Sequence, residues 1–470
     1  MGLNANASAK RSSRDLTEGN IALQLLSVAF PILIGQLLQS LYNSVDSLVV
    51  GNFVGTVAVA AIASCSEISN FVISFFVGLS AGSGVAFSSF YGAKNYDDLR
   101  KSIHTAITFA ALFGLGMAAL GILLSPLLLR LMDCPPDVYD MALAYLRIYL
   151  IGVFFTSVYN VATGVLRAVG DARTPLYYLI VASVSNIVLD VFFVVVFRWG
   201  IYGVAIATIA SQLLTATLIL RKMLRTTDVY RLVPSQLGID RGLLLRVLRL
   251  GLPAALQSCM VAFANLFIQR YINAAGSAVM AGAGVAHKVI NKFVSEIAKS
   301  LGSATSIFVG QHVGAKKIRR AYAGIGYALL INAVGVASLG IPIYYNAEKL
   351  IRLFLSDPDA IAYGVLMVTL VVPTYYLQSI YQVLSNAIRG FGYSTAALVV
   401  NVMGLVVLRQ LYLIVATRLS DDIRLVFVSM PVGWVFTVLL SAVAFWVLVF
   451  KKHPPTADET SLSRHHKETE

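Results

Sequence analysis

Apolar residues run along this chain in long unbroken stretches, separated by short clusters of Gly, Pro and charged residues. Twelve stretches, at roughly 21–50, 56–90, 99–128, 138–168, 174–198, 200–224, 243–273, 277–311, 318–343, 358–388, 393–417 and 425–450, each offer the ~20 apolar residues that a membrane helix needs. The pattern predicts an all-α integral membrane protein of twelve transmembrane helices. Polar positions inside the stretches fall at helical intervals. On helix 1, Gln36, Gln39, Asn43 and Asp46 recur at spacings of three, four and three, with Tyr42 one turn before Asp46; on helix 5, Ser183, Asn186 and Asp190 form a second stripe. Each stripe faces protein or a cavity rather than lipid.

The chain repeats itself. One constant offset, with no gap, aligns Pro31 with Pro253, Asn43 with Asn265, Gly92-Ala93-Lys94 with Gly314-Ala315-Lys316, Tyr159 with Tyr381, Arg167 with Arg389, and Gly170 with Gly392. Six helices per half give both halves the same orientation, so the repeat is parallel, as in transporters built from two bundles. The expected organisation is a cytoplasmic tail at 1–20, helices 1–6 at 21–224, a cytoplasmic linker at 225–242, helices 7–12 at 243–450, and a disordered cytoplasmic tail at 451–470.

Composition agrees: of 470 residues, 58% are hydrophobic and 13% charged, against about 25% charged in soluble domains. A solvated globular enzyme is excluded. The net charge of +13 reads first as a sign of nucleic-acid binding, but position removes that reading. With both termini cytoplasmic, 24 of the 36 Lys and Arg lie on inner segments and six on outer ones, as the positive-inside rule requires. Six remain within spans: Arg147, Arg270, Lys288, Lys292, Lys299 and Arg409. The cysteines Cys65, Cys134 and Cys259 form no paired motif, and no His-Glu-x-x-His or phosphate loop is present. We therefore expect no enzyme, no cofactor and no nucleic-acid partner, only a small-molecule substrate and the lipid bilayer, with the protein a monomer.

Four carboxylates sit within spans: Asp46, Glu67, Asp190 and Glu296. At about 1.5 Å per residue from the outer turns, Asp46, Asp190 and Thr208 lie at one level, roughly 12–14 Å deep. Two carboxylates, the Asn186 amide and a hydroxyl at one depth suit a hard-oxygen cation or a shared proton, since neighbouring carboxylates cannot both stay charged cheaply in low dielectric. Glu67 shows no partner in the sequence. Helix 8 carries Lys288, Lys292, Glu296 and Lys299 on one predicted face beside His287, and helix 11 adds Arg409 at similar depth. This basic face reads either as a pocket for an anionic or zwitterionic group or as Glu296 paired with its lysines. Gln378, Gln382 and Ser385 on helix 10 have spacing that allows them to face the same cavity.

The two parallel sixes, Tyr42-x-x-x-Asp46, Asn186-x-x-x-Asp190, Val-Asp-Ser-Leu-Val-Val-Gly-Asn at 45–52, the two Gly-Ala-Lys ends and Leu-Arg-Ala-Val-Gly-Asp at 166–171 resemble the multidrug and toxic compound extrusion (MATE) family. The resemblance implies an efflux antiporter of the bacterial inner membrane, in which proton or sodium entry drives export of amphipathic organic compounds. By position it assigns Asp46, Asn186, Asp190 and Thr208 to the cation site, as metal ligands if sodium is the coupling ion, with Tyr42 as hydrogen-bond partner. Helix 7 lacks the carboxylate that some members carry, and the repeat places Ile268, Leu408, Tyr412 and Met430 opposite Asp46, Asn186, Asp190 and Thr208. Coupling is therefore expected in the amino half alone, as in the DNA-damage-inducible branch. A lipid-linked oligosaccharide flippase of the same broad superfamily is the alternative.

Overall fold

The computed structural model describes residues 13–455 apart from Asp133 and Asp421; within that range the side chains of residues 42–48, Thr56 and 289–292 lie outside the description. The amino half consists of α1 (Ile21–Phe53), α2 (Thr56–Gly92), α3 (Tyr96–Leu131), α4 (Pro136–Ile151), α5 (Val153–Ala168), α6 (Arg173–Val191) and α7 (Gly200–Arg225). The carboxy half consists of α8 (Arg241–Ala274), α9 (Ser277–Ile290), α10 (Glu296–Gly314), α11 (Ile318–Tyr345), the short α12 (Ala347–Arg352), α13 (Pro358–Val371), α14 (Tyr375–Gly390), α15 (Ser394–Asn401), α16 (Arg409–Leu419) and α17 (Ile423–Ala444). Helix starts have local causes: the side chains of Asn20, Asn95 and Asp240 accept backbone N–H groups of Leu23, Asp98 and Leu243, which satisfies donors the helix itself leaves open.

Among the described residues, ten helices are long and apolar enough to cross a membrane, and α4 with α5, bent by 41° at Gly152, makes an eleventh. The predicted eighth span differs. It is helical from Ser277 to Gly314 but broken by a π turn at Asn291–Ser295, and it carries four charged residues, Lys288, Lys292, Glu296 and Lys299. Such a helix needs protein rather than lipid around it, and α10 is surrounded by α1, α2, α11 and α14. The π turn also has a local consequence. It adds a residue to one turn, so Lys288 and Glu296, on either side of it, lose the common face that the α-helical count assigned them.

The repeat is visible in the backbone. Lys94 and Lys316 both take the left-handed conformation at φ +57, and Gly170 and Gly392 follow at +84 and +94. At both Gly-Ala-Lys sites the chain closes the helix in the same way, Asn95 N–H donating to the Phe90 carbonyl and Lys317 N–H to that of His312. Spans 4 and 10 break at matching places, Gly152 and the 3-10 turn Val372–Thr374. Pro31 and Pro253 lie inside continuous helices.

The halves meet along two seams that the repeat exchanges, α2 on α8 and α1 on α10, with α2 also against α10. Small residues set the approach: a Cβ at Gly78 would meet the backbone of Ala254 and Ala255, and one at Gly82 that of Leu250 and Gly251. At the end bearing both termini the contact becomes backbone on backbone. A Cβ at Gly92 would strike the Gln311 carbonyl, and one at Gly314 the Ser89 carbonyl.

Across this end lies a strap, residues 14–19, in a segment expected to be a plain tail. Arg14 N–H donates to the Val169 carbonyl (2.8 Å). Leu16, fully buried, donates its N–H to Gln311 Oε1 (2.9 Å), while Gln311 Nε2 donates to the Ala168 carbonyl (2.7 Å). Lys317 Nζ and Arg320 Nη2 donate to the carbonyls of Thr17 (3.2 Å) and Gly19 (2.8 Å). One peptide thus ties the amino half to the carboxy half. The linker packs instead on α3, where His104 Nε2 accepts the Val233 N–H and Thr105 Oγ1 that of Asp240.

Candidate functional site

A cavity of about 480 Å³ occupies the amino half, walled by α1, α2 and α4–α7 and completed by Ser303, Ser306 and Ile307 of α10. Its lining along α2 runs from Ile62 to Gly84. Beyond Gly84 towards the termini α2 and α10 come into close contact at Ser89, Gly92, Gln311 and Gly314, none of which lines the cavity; the other end of the lining, at Ile62, comes close to the start of α2 at Thr56, about 9 Å along a helix. The wall is rich in hydroxyl and amide groups that cost the helices little. Thr208, Ser211 and Thr215 each return a hydrogen bond to the carbonyl one turn earlier, at 3.0, 2.9 and 2.6 Å.

Of the predicted coupling residues, Asn186 and Thr208 line this cavity. Asp190 is 1% exposed, one helical turn beyond Asn186. The Asn186 side chain is equally buried, and neither its amide oxygen nor its nitrogen finds a hydrogen-bond partner among the described residues. A buried amide with both functions open is an expensive arrangement. The Tyr42 and Asp46 side chains, and that of Asn43, lie outside the described residues. No group of three or more His, Cys, Asp or Glu capable of holding a metal occurs among the described residues.

The predicted substrate residues separate into two sets. Gln36 and Gln39 line the cavity, and Gln36 Oε1 accepts the Ser300 hydroxyl (2.8 Å), joining the halves. Glu67 is exposed on α2, off the lining. The carboxy-half residues stand elsewhere. His287 and Lys288 are exposed on α9, and the Lys292 side chain is outside the described residues. Glu296 pairs with Lys299 at 2.7 Å, the paired alternative of the two readings. Gln378 donates to Ser295 Oγ (2.9 Å), the half-buried Gln382 accepts through its carbonyl from Asn386 (2.8 Å), and the buried Arg409 donates to Asn265 Oδ1 (3.1 Å) with its stem against Gly433.

Several lining residues escape the sequence pattern, among them Tyr145 and Tyr149, whose rings stack at 6.1 Å, and Gln212, Asn160 and Arg167. Two signals could find most of them: Thr208, Ser211, Gln212 and Thr215 share one face of α7, and Asn160, Thr163 and Arg167 one face of α5.

Comparison with known proteins is consistent along the chain. The MatE family model matches twice, at residues 31–192 and 253–413, and the two matches begin at Pro31 and Pro253, which the internal repeat pairs. The "Probable multidrug resistance protein YpnP" of Bacillus subtilis (strain 168) is 32% identical over 395 residues, covering 84% of this chain and 88% of the relative. The "Probable multidrug resistance protein YoeA" of the same organism is 34% identical over 371 residues, covering 77% and 80%. Among solved structures, an outward-facing multidrug resistance MATE family transporter superposes with a TM-score of 0.84 at 21% identity, covering 91% of this chain and 95% of that one.

Proposed function

Because this chain belongs to the multidrug and toxic compound extrusion (MATE) family, we propose that it is a cation-coupled antiporter that exports small amphipathic organic compounds across the bacterial plasma membrane by alternating access. The names of its B. subtilis relatives support the multidrug part of this reading. The observation that carries the coupling part is the open amide of Asn186 in the cavity wall, with Thr208 in the same lining and Asp190 buried one turn beyond Asn186. A carboxylate at such depth is stabilised by a proton or a cation, and a carbonyl and a hydroxyl oxygen are ligands suited to a hard one. Asp46, on α1, belongs to the same set by its sequence position.

With the basic, termini-bearing end on the cytoplasmic side, the close-packed seam faces inward and the cavity faces out. A proton or sodium ion entering from outside neutralises the carboxylates, α1, α6 and α7 repack, and substrate leaves outward; release of the ion inward resets the cycle. One charge moving inward down 100 mV supplies about 2.3 kcal/mol. The halves at 21–224 and 243–450 serve as the two moving bodies, and coupling rests on the amino half, as in the DNA-damage-inducible branch.

The test is transport into inside-out vesicles with sodium and pH gradients imposed separately. Asp190→Asn is expected to abolish gradient-driven uptake while the protein remains folded in the membrane. Undiminished, still gradient-dependent uptake by that variant would refute the assignment.

A further inference from the structure

The repeat offers an internal control for one arginine. Arg389, at the end of α14, is held by two amides: Nη1 donates to Asn386 Oδ1 (2.9 Å) and Nη2 to Gln257 Oε1 (2.8 Å). Its counterpart Arg167, at the end of α5, has neither. The positions that the repeat aligns with Asn386 and Gln257 are Gly164 and Gly35, and both glycines line the amino-half cavity together with Arg167. The carboxy half fills this place with two amide side chains, whereas in the amino half Gly35 leaves one of them out and Ser80 packs against the other position, Gly164. Arg167 Nε is buried without a hydrogen-bond partner among the described residues, its electrostatic neighbour is the neutral Tyr159 phenol in the same cavity wall, and no carboxylate among the described residues forms an ion pair with it.

A guanidinium without those amide acceptors, in the wall of a cavity of about 480 Å³, is a fork for two oxygens. It stands next to the seam: the following residue, Ala168, takes the Gln311 hydrogen bond. We propose that Arg167 is the anion-binding group of this cavity, and that the substrates it selects carry a carboxylate or phosphate, with the hydroxyl-rich wall receiving the rest of the molecule. The proposal rests on the transport reading above and narrows its substrate class.

Ligand binding to the purified protein, with no gradient applied, tests Arg167 separately from coupling. The probe is the fluorescent (7-methoxycoumarin-4-yl)acetate at neutral pH, compared with its uncharged amide. The wild type is expected to bind the acetate at least about tenfold more tightly than the amide, a charge-assisted hydrogen bond being the difference. Arg167→Gln should bring the ratio close to one while leaving amide affinity in place, and Arg167→Lys should keep part of the preference. Gly35→Gln, where a Cβ meets only Leu179 at 3.4 Å and Leu176 at 3.8 Å, should weaken the preference by returning an amide to Arg167 without removing its charge. Arg389→Gln should not change the ratio. Equal binding of acetate and amide by the wild type, or an undiminished ratio in Arg167→Gln, would overturn the proposal whatever the outcome of the vesicle experiment.

Discussion

Substituting alanine at Gly92 perturbs a place, at the termini-bearing end, where the halves meet backbone to backbone. The added methyl would overlap the carbonyl, the carbonyl carbon and the Cα of Gln311, none of which can rotate away as a side chain can. Insertion of a methyl into a close contact costs about 1–3 kcal/mol. The strain exists only while the seam is closed, so it is released on opening, and the closed-to-open ratio should fall about 5- to 150-fold. The assay uses a cysteine-less background, with Cys65, Cys134 and Cys259 replaced, and a reporter Ser306→Cys in the cavity wall. A membrane-impermeant maleimide applied from the termini-bearing side should label Gly92→Ala several-fold faster than the parent. Gly326→Ala, whose Cβ would meet nothing within 4 Å, should label at the parental rate. Equal labelling of Gly92→Ala and parent, in protein that is folded and membrane-inserted, would refute the view that this seam is the barrier.

Two further outcomes follow from named contacts. Leu16→Ala removes a fully buried side chain from the strap and should cost about 2–5 kcal/mol of its docking, seen as faster proteolysis within residues 13–20 while helix content is unchanged. Glu296→Gln breaks the ion pair with Lys299, whose side chain is 44% exposed; a pair so open contributes at most about 1 kcal/mol, so thermal stability should barely move, and a loss of many degrees would show that Glu296 has a larger role.

The architecture is legible in the sequence because lipid forces long apolar runs and a duplication leaves a constant offset. Gly92 and Gly314 read as helix ends, which they nearly are, yet their main consequence is contact between halves that lie far apart along the chain. Apolar periodicity has little phase in a membrane, since lipid-facing and protein-facing positions are both apolar, so which helices adjoin is not encoded in the pattern. Polar stripes do carry phase, and they locate Gln36, Gln39, Ser183 and Asn186 on the cavity wall. The stripe of Lys288 to Glu296 fails for a local reason, the π turn between them, which spacing alone does not reveal. Arg167 escapes notice in the sequence because its repeat partner makes it look like a shared structural feature; only the glycines opposite it distinguish the two.

The strap at residues 14–19 has no structural twin. The stretch that the repeat sets opposite it belongs to the linker, which lies on α3 rather than across a seam. A duplicated molecule whose halves closed on each other by matching contacts alone would be evenly balanced about its axis. Here a short peptide before the first repeat spans the two halves at the termini-bearing end, and the stretch the repeat sets opposite it does not. The closure of that end is therefore asymmetric, held by a segment that the internal repeat leaves unmatched.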